Sequence, residues 1–277
     1  MTQPDTARRS LDHWSEAGRA EMLAFYALAV EDYRRLAAAR DWSADLRAHA
    51  VDGRVRLLDV ACGSGKFPAA LLAAGLPVEP VVEVDLLDPS AFSLAEARSV
   101  LAPPFVAAAE HEILVQDLAA SGTYDVAWAT HALYALPPDQ LAAGVARMVE
   151  AVRPGGFGAI AQASSRSHYL AFYEAYRPAF APGIAPFTDA EGVAAALREA
   201  GADVDVAVLT YRTTSTDRSV VEGFLQRCAF DDTTSLEQME SVEPLASYLR
   251  GCRGADGAWT FSHDVHLMTW EGPALPE

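Results

Sequence analysis

The chain has 277 residues, 51% of them hydrophobic, and its 38 Asp and Glu against 21 Lys and Arg give a formal charge of −17. That length can bury a sizeable core, and that charge repels phosphate backbones and anionic lipid, which argues against nucleic-acid and membrane partners. Three scattered cysteines (Cys62, Cys228, Cys252) make neither a disulfide framework nor a zinc site. No apolar run is long enough to span a bilayer. Met1 to Ser10 lacks the apolar core of a signal peptide. The expectation is a cytoplasmic protein, monomer or homodimer, without a nucleic-acid or membrane partner.

In chain order, Leu11 to about Ala50 predicts two helices. Trp14, Met22, Phe25, Tyr26, Ala29, Val30, Tyr33 and Leu36 recur at spacings of three and four, followed by Trp42, Leu46 and His49. These residues precede the first strand, so they form a helical cap (1–50) placed to close over a sheet edge, and the aromatic stripe reads either as core or, through Phe25 and Tyr26, as a wall that reaches a ligand.

Val55 to Val60 is a short apolar run ending in an acid, suited to a strand buried on both faces. Ala61-Cys62-Gly63-Ser64-Gly65 follows as a small-residue turn against which a ligand can lie, and Phe67 to Ala74 reads as a helix with Gly75 past its end. Strand, glycine turn and helix open a doubly wound α/β sheet, with the ligand at the carboxyl end of the strand. Pro68 stands where the dinucleotide fingerprint wants its third glycine, and Phe67 where a phosphate loop wants Ser or Thr. Both of those ligand classes fail.

Pro80 to Leu87 is the second strand, closed by Asp88-Pro89-Ser90, with Ser90 as the cap of the next helix. A carboxylate at this point grips a ribose diol by accepting from both hydroxyls. Asp88 is preferred over Glu83 and Asp85 because the capped helix fixes it. Ile113 to Val115 reads as a third strand, with Gln116-Asp117-Leu118 placed to meet an adenine. Tyr124 to Ala129 is a fourth strand, with Thr130-His131-Ala132-Leu133-Tyr134 at its ligand-binding end. Pro137-Pro138-Asp139 starts a helix, Val152 to Gly156 is a turn, and Phe157 to Ala161 a fifth strand. Strands alternating with helices predict a Rossmann-like, mostly parallel sheet over 51–277.

The remainder is less regular. His168, Tyr169, Phe172, Tyr173 and Tyr176 form an aromatic helical stretch, and Thr188-Asp189-x-Glu191 opens a helix to Ala200. Val204 to Arg212 reads as a strand, Ser219 to Phe230 and Leu236 to Arg250 as helices, and Trp259 to Glu271 as a final strand. Stretches at about 164–187 and 213–257 are insertions that build a substrate pocket.

Leu58 to Gly65, Asp88-Pro89-Ser90 and Val152-Arg153-Pro154-Gly155-Gly156 together resemble a class I S-adenosylmethionine (SAM) dependent methyltransferase. A narrower likeness, from about Glu79 to Glu271, is to histamine N-methyltransferase and its small-molecule relatives. It is carried by Asp88-Pro89-Ser90-Ala91, His131-Ala132-Leu133-Tyr134, Ser164-Ser165, Phe187-Thr188-Asp189, Phe224-Leu225 with Cys228-x-Phe230, and Phe261-Ser262-His263. The resemblance implies SAM as cofactor and methyl transfer to a small molecule, an amine or hydroxyl of a specialised metabolite, with S-adenosylhomocysteine as product. It implies cofactor contacts at Asp59, Ala61, Gly63, Gly65, Asp88, Pro89, Ser90, Asp117, Leu118, Thr130 and His131. It puts Tyr134, Tyr169, Tyr173 and Phe224 on the acceptor pocket, His131 where the family has a glutamine and His263 where it has an asparagine.

Residue chemistry adds Tyr26 and Tyr176 to the pocket, since tyrosine faces attract a sulfonium or an ammonium. His131 and His263 titrate in the range of a base, and with Tyr134 they are the candidate catalytic groups. No acidic cluster suggests a metal. Two other readings compete: attack of the aminobutyrate arm of SAM on its own sulfonium carbon, giving a cyclic amino acid and methylthioadenosine, and a SAM-binding module without catalysis.

Overall fold

The computed structural model describes residues 6–13 and 19–272. Trp14 lies outside them, as does the side chain of Met22. Three helices come first: α1 (Thr6–His13), α2 (Arg19–Ala37) and α3 (Trp42–His49). The sheet then builds from β1 (Arg54–Val60), α4 (Lys66–Ala73), β2 (Val81–Leu87), α5 (Ala91–Val100), β3 (Phe105–His111), β4 (Tyr124–Thr130), α6 (Pro138–Ala151) and β5 (Val152–Ala163). It is completed by α7 (His168–Phe180), α8 (Ala190–Glu199), β6 (Asp205–Ser215), α9 (Arg218–Ala229), α10 (Leu236–Ser241), α11 (Leu245–Cys252) and β7 (Trp259–Glu271). No described helix is long and apolar enough to cross a membrane.

Seven strands form one sheet in the order β3-β2-β1-β4-β5-β7-β6. β7 runs antiparallel to both of its neighbours, and the other pairings are parallel. This is the expected Rossmann-like, mostly parallel architecture. The central strands are apolar on both faces because helices cover both. On one side Trp42 and Leu46 of α3, Phe67 and Leu71 of α4 and Leu94 of α5 pack on Leu57, Val84 and Trp128. On the other, Val145 and Met148 of α6 and Val193 and Leu197 of α8 pack on Leu58, Ala127 and Ile160. A third apolar cluster joins α2 to α7, α9, α10 and α11, at the end of the sheet where β5 finishes at Ala163 and β7 begins at Trp259. The order turns between β1 and β4, the switch point where α/β sheets take their ligands.

Four elements differ from the sequence reading. The N-terminal stretch carries three helices rather than two, with α1 starting at Thr6, ahead of Leu11. The third strand is Phe105–His111, and Ile113–Val115 instead leads into a 3-10 turn over Val115–Asp117. The strand is alanine-rich and at the sheet edge, alternating exposed and part-buried positions, so it has no continuous apolar run to reveal it. The 236–250 stretch breaks into α10 and α11 before Pro244, which cannot donate to a continuing helix. The Val152–Gly156 turn is a bulge within β5, where the register against β4 shifts.

Candidate functional site

Two adjoining cavities lie at the carboxyl ends of β1, β2 and β4. The outer one, about 370 Å³, is lined by the β1–α4 loop, the β2 end at Asp88 and Pro89, the Leu114–Gln116 segment, the β4–α6 loop and residues of α1 and α2. The inner one, about 90 Å³, shares Ser10, Tyr33, His131, Ala132 and Ala135 with it as a common wall.

The outer cavity follows from the glycine turn. Gly63 takes φ +52, and a Cβ there would meet no protein atom, so its backbone presents an open face. Its N–H donates to Asp88 at 3.0 Å, and the other Asp88 oxygen accepts from Ser90 N–H at 2.9 Å. Ser90 caps α5 through Ser93 N–H, which locks the β2 end in place. Burial raises Asp88 to about 6, against the pull of its two backbone donors. Asp59 is 2% exposed, and burial, with the nearby Asp88, raises it to about 7 against a hydrogen bond from Trp128. A carboxylate so desolvated on a cavity wall is stabilised by a cationic or hydrogen-donating ligand. SAM is both.

Among the predicted cofactor positions, Asp59, Ala61, Gly63, Asp88, Pro89, Thr130 and His131 line this cavity. Gly65, Ser90, Asp117 and Leu118 do not. Gly65 caps α4 at φ +67 and lets it approach α5, where a Cβ would lie 2.5 Å from Val100. Ser90 is spent on the cap. Asp117 is exposed and Leu118 is buried in the core beside α6, because the missed β3 moves the ligand-facing turn back to Leu114–Gln116. Glu83 and Asp85 are tied to Arg54 and to Tyr124, away from the cavity.

His131 lies on both cavities, at φ +53. Its Nδ1 is 2.9 Å from the Tyr134 hydroxyl, which also accepts from Ala163 N–H, while its Nε2 is buried without a partner. Burial lowers the imidazole to about 4, so it is neutral at neutral pH. Tyr134 and Tyr169 line the inner cavity with Phe25 and Phe187, and Tyr26 lines the outer one.

The other predicted pocket residues are elsewhere. Tyr173 stacks on Phe187 at 3.7 Å, Tyr176 donates to Asp231, and Phe224 stacks on Phe25 at 5.7 Å, all inside the third apolar cluster. The helical period of α7 turns the rings of Tyr173 and Tyr176 into that core, and Phe224 reaches it from α9. His263 is 2% exposed on β7, stacked on Tyr211 at 4.8 Å and bonded to Thr213, and touches neither cavity. Burial lowers it to about 3.

Sequence reasoning missed Asp32. It lies on the inner cavity, 3% exposed, with Tyr169 donating to one oxygen at 2.5 Å and Tyr211 to the other at 2.8 Å. Burial raises it to about 7 despite both donors. Arg227 of α9 and Lys66 of α4, on the inner and outer walls, were also missed.

Residues 58–157 match the model of a methyltransferase domain. No curated protein matches the sequence. A solved structure of a candidate methyltransferase from Bacillus halodurans C-125 is similar at a TM-score of 0.56 and 15% identity, over 84% of this chain and 99% of that one. Magnesium protoporphyrin IX methyltransferase from Synechocystis PCC 6803, solved with S-adenosylhomocysteine, is similar at 0.55 and 15% identity, over 95% of this chain and 99% of that one. YcgJ of Bacillus subtilis reaches 0.53 at 11% identity, over 83% and 97%. The structural likeness is one of fold, and the matched segment is the one that builds the glycine turn, the Asp88 corner and the β4 loop. Residues 58–157 thus match a methyltransferase domain, within a chain whose fold is shared with solved methyltransferases.

Proposed function

We propose that the outer cavity holds SAM and the inner cavity a small acceptor, and that the chain transfers a methyl group to an amine or hydroxyl of that acceptor. SAM supplies a methyl on a sulfonium, open to in-line attack. The observation that carries the reading is the shared wall: His131 and Tyr33 face both spaces, so ligands in the two would meet there. Asp88 is placed to accept from the ribose hydroxyls and Asp59 from a donor on the amino-acid arm. The chain's main contribution is to hold two groups in an attacking arrangement and exclude water. His131 Nε2, neutral and unpartnered, is the group placed to receive or donate a hydrogen bond at the acceptor atom. Aromatic walls and the Asp32 carboxylate favour an amine, because ring faces and a buried acid both attract a protonated nitrogen.

The small size of the inner cavity supports a second reading, in which no acceptor enters and the aminobutyrate arm of SAM closes on its own carbon. Mass spectrometry of protein with SAM alone, then with pooled amines and phenols, separates the two. S-adenosylhomocysteine formed only with an acceptor supports methyl transfer. Methylthioadenosine formed without one overturns it in favour of cyclisation.

A further inference from the structure

We propose that Lys66 is the counter-charge for the carboxylate of the amino-acid arm of SAM, and that it makes the outer cavity select ligands that keep that carboxylate. The inference rests on the outer cavity being the SAM site and goes beyond it to one residue and one ligand group.

The charges on the cavity wall set the problem. Asp59 and Asp88 put two carboxylates there. Both suit the cationic and hydroxyl-bearing parts of SAM, and both repel its carboxylate. A wall with only acids would bind the amino-acid arm poorly.

Lys66 answers this from the same loop. It follows Gly65 directly, is half-buried, and lines the cavity together with Gly63 and Ser64. Its Nζ lies 4.4 Å from the ring centroid of Tyr26 of α2, which also lines the cavity. That ring holds the ammonium by its face, and Ser64 Oγ donates to the Tyr26 hydroxyl at 3.2 Å, so the loop itself sets the ring's position. Arg8, the other described cation on this wall, has a side chain 82% exposed. Its charge is largely spent on water. Lys66 is the better placed of the two. Burial lowers its pKa, with Glu96 opposing. An ammonium so desolvated gains more from an incoming carboxylate than an exposed one would.

The test is calorimetry on the full chain with S-adenosylhomocysteine and with its decarboxylated analogue, which keeps adenosine, sulfur and ammonium but lacks the carboxylate. Lys66→Met keeps the aliphatic stem, and the thermal midpoint checks that the variant folds. The expected result is about a tenfold or greater loss of S-adenosylhomocysteine affinity in Lys66→Met, from the lost charge-assisted contact, with the affinity for the analogue unchanged. Lys66→Arg should restore most of the loss. Equal weakening of both ligands would assign Lys66 to packing of the loop and overturn the proposal, as would no weakening of either. Wild-type protein that binds neither ligand would instead remove the SAM reading of the cavity, a result distinct from either of those.

Discussion

Asp88 reaches the ligand space while bonded to two backbone N–H groups, one on each oxygen, so its carboxylate is oriented before any ligand arrives. Asp88→Asn replaces one acceptor oxygen with a donor that opposes Gly63 or Ser90 N–H. It should weaken S-adenosylhomocysteine binding by about 1.5–3 kcal/mol, the range for a hydrogen bond to a charged group, as read by calorimetry. Unchanged affinity would take Asp88 out of ribose binding. His263 tests the opposite placement. Its ring is packed between Tyr211 and Tyr169 behind the cavity wall, bonded to Thr213. His263→Gln should cost roughly 1–3 kcal/mol of stability, seen as a lower thermal midpoint. Per folded molecule, kcat/KM should fall far less than the roughly 10²–10⁴-fold that loss of a general base produces. A loss of that larger size would return His263 to the chemistry. These residues also show what the sequence made legible. Asp88 could be found because a local motif, strand end and capped helix, fixes it. Asp32 could not, since its two tyrosine partners lie 137 and 179 positions away and only the tertiary fold brings them together.

Among elements, the sheet was readable where strands are buried on both faces, because burial forces near-continuous apolar runs such as Leu57 to Val60. It failed at β3, whose edge position asks for no such run, and that error carried Asp117 and Leu118 into the candidate site. Rings were misassigned for a related reason. An aromatic stripe at helical spacing gives a buried face without saying what buries it, and α7 turns Tyr173 and Tyr176 to a core while Tyr169 reaches the cavity. The contact between α4 and α5 is the element-scale feature that supports the site. Gly65 has a left-handed backbone, and a Cβ there would lie 2.5 Å from a Val100 methyl and 3.1 Å from the Ala97 backbone. Gly65→Ala must therefore strain the turn and push the helices apart, at about 1–3 kcal/mol. The loop that bears Gly63 and Lys66 shifts with them. The expected result is a lower thermal midpoint together with weaker S-adenosylhomocysteine binding. A drop in stability with full affinity would mean that the loop holds its shape independently of that contact.

At the scale of the molecule, three acids are buried where the two cavities meet the protein, and burial raises all of them: Asp32 and Asp59 to about 7 and Asp88 to about 6, from an ordinary value of 3.8. The folded protein therefore binds protons that the unfolded chain releases. Stability from these groups is fully present below about pH 4 and is lost as pH rises through about 6 to 7, since stability falls with pH wherever the folded state holds more protons. The formal charge of −17 acts in the same direction, because protonation relieves self-repulsion. Asp231 opposes at the acid end. Although burial works against it, hydroxyls from Thr233, Tyr176 and Thr234 hold it well below the ordinary carboxylate range, so its contribution is lost as pH falls below about 4. The buried imidazoles of His131 and His263, lowered to about 4 and about 3, and of His168, also lowered, act the other way, because the unfolded chain takes up protons there below about pH 6.5 and they favour the fold at higher pH. The acids are therefore read by difference: double replacement by Asp32→Asn and Asp59→Asn should make the thermal midpoint of the ligand-free protein rise more, or fall less, from pH 5 to pH 8 than in the wild type, and an unchanged pH dependence would contradict the burial of these carboxylates. SAM changes the balance, because a bound cation stabilises the ionised acids. It should raise the midpoint more near pH 8, where the ionised acids are uncompensated, than near pH 5, where protons already neutralise them. That difference ties the acidity of the site to the charge of the ligand proposed for it.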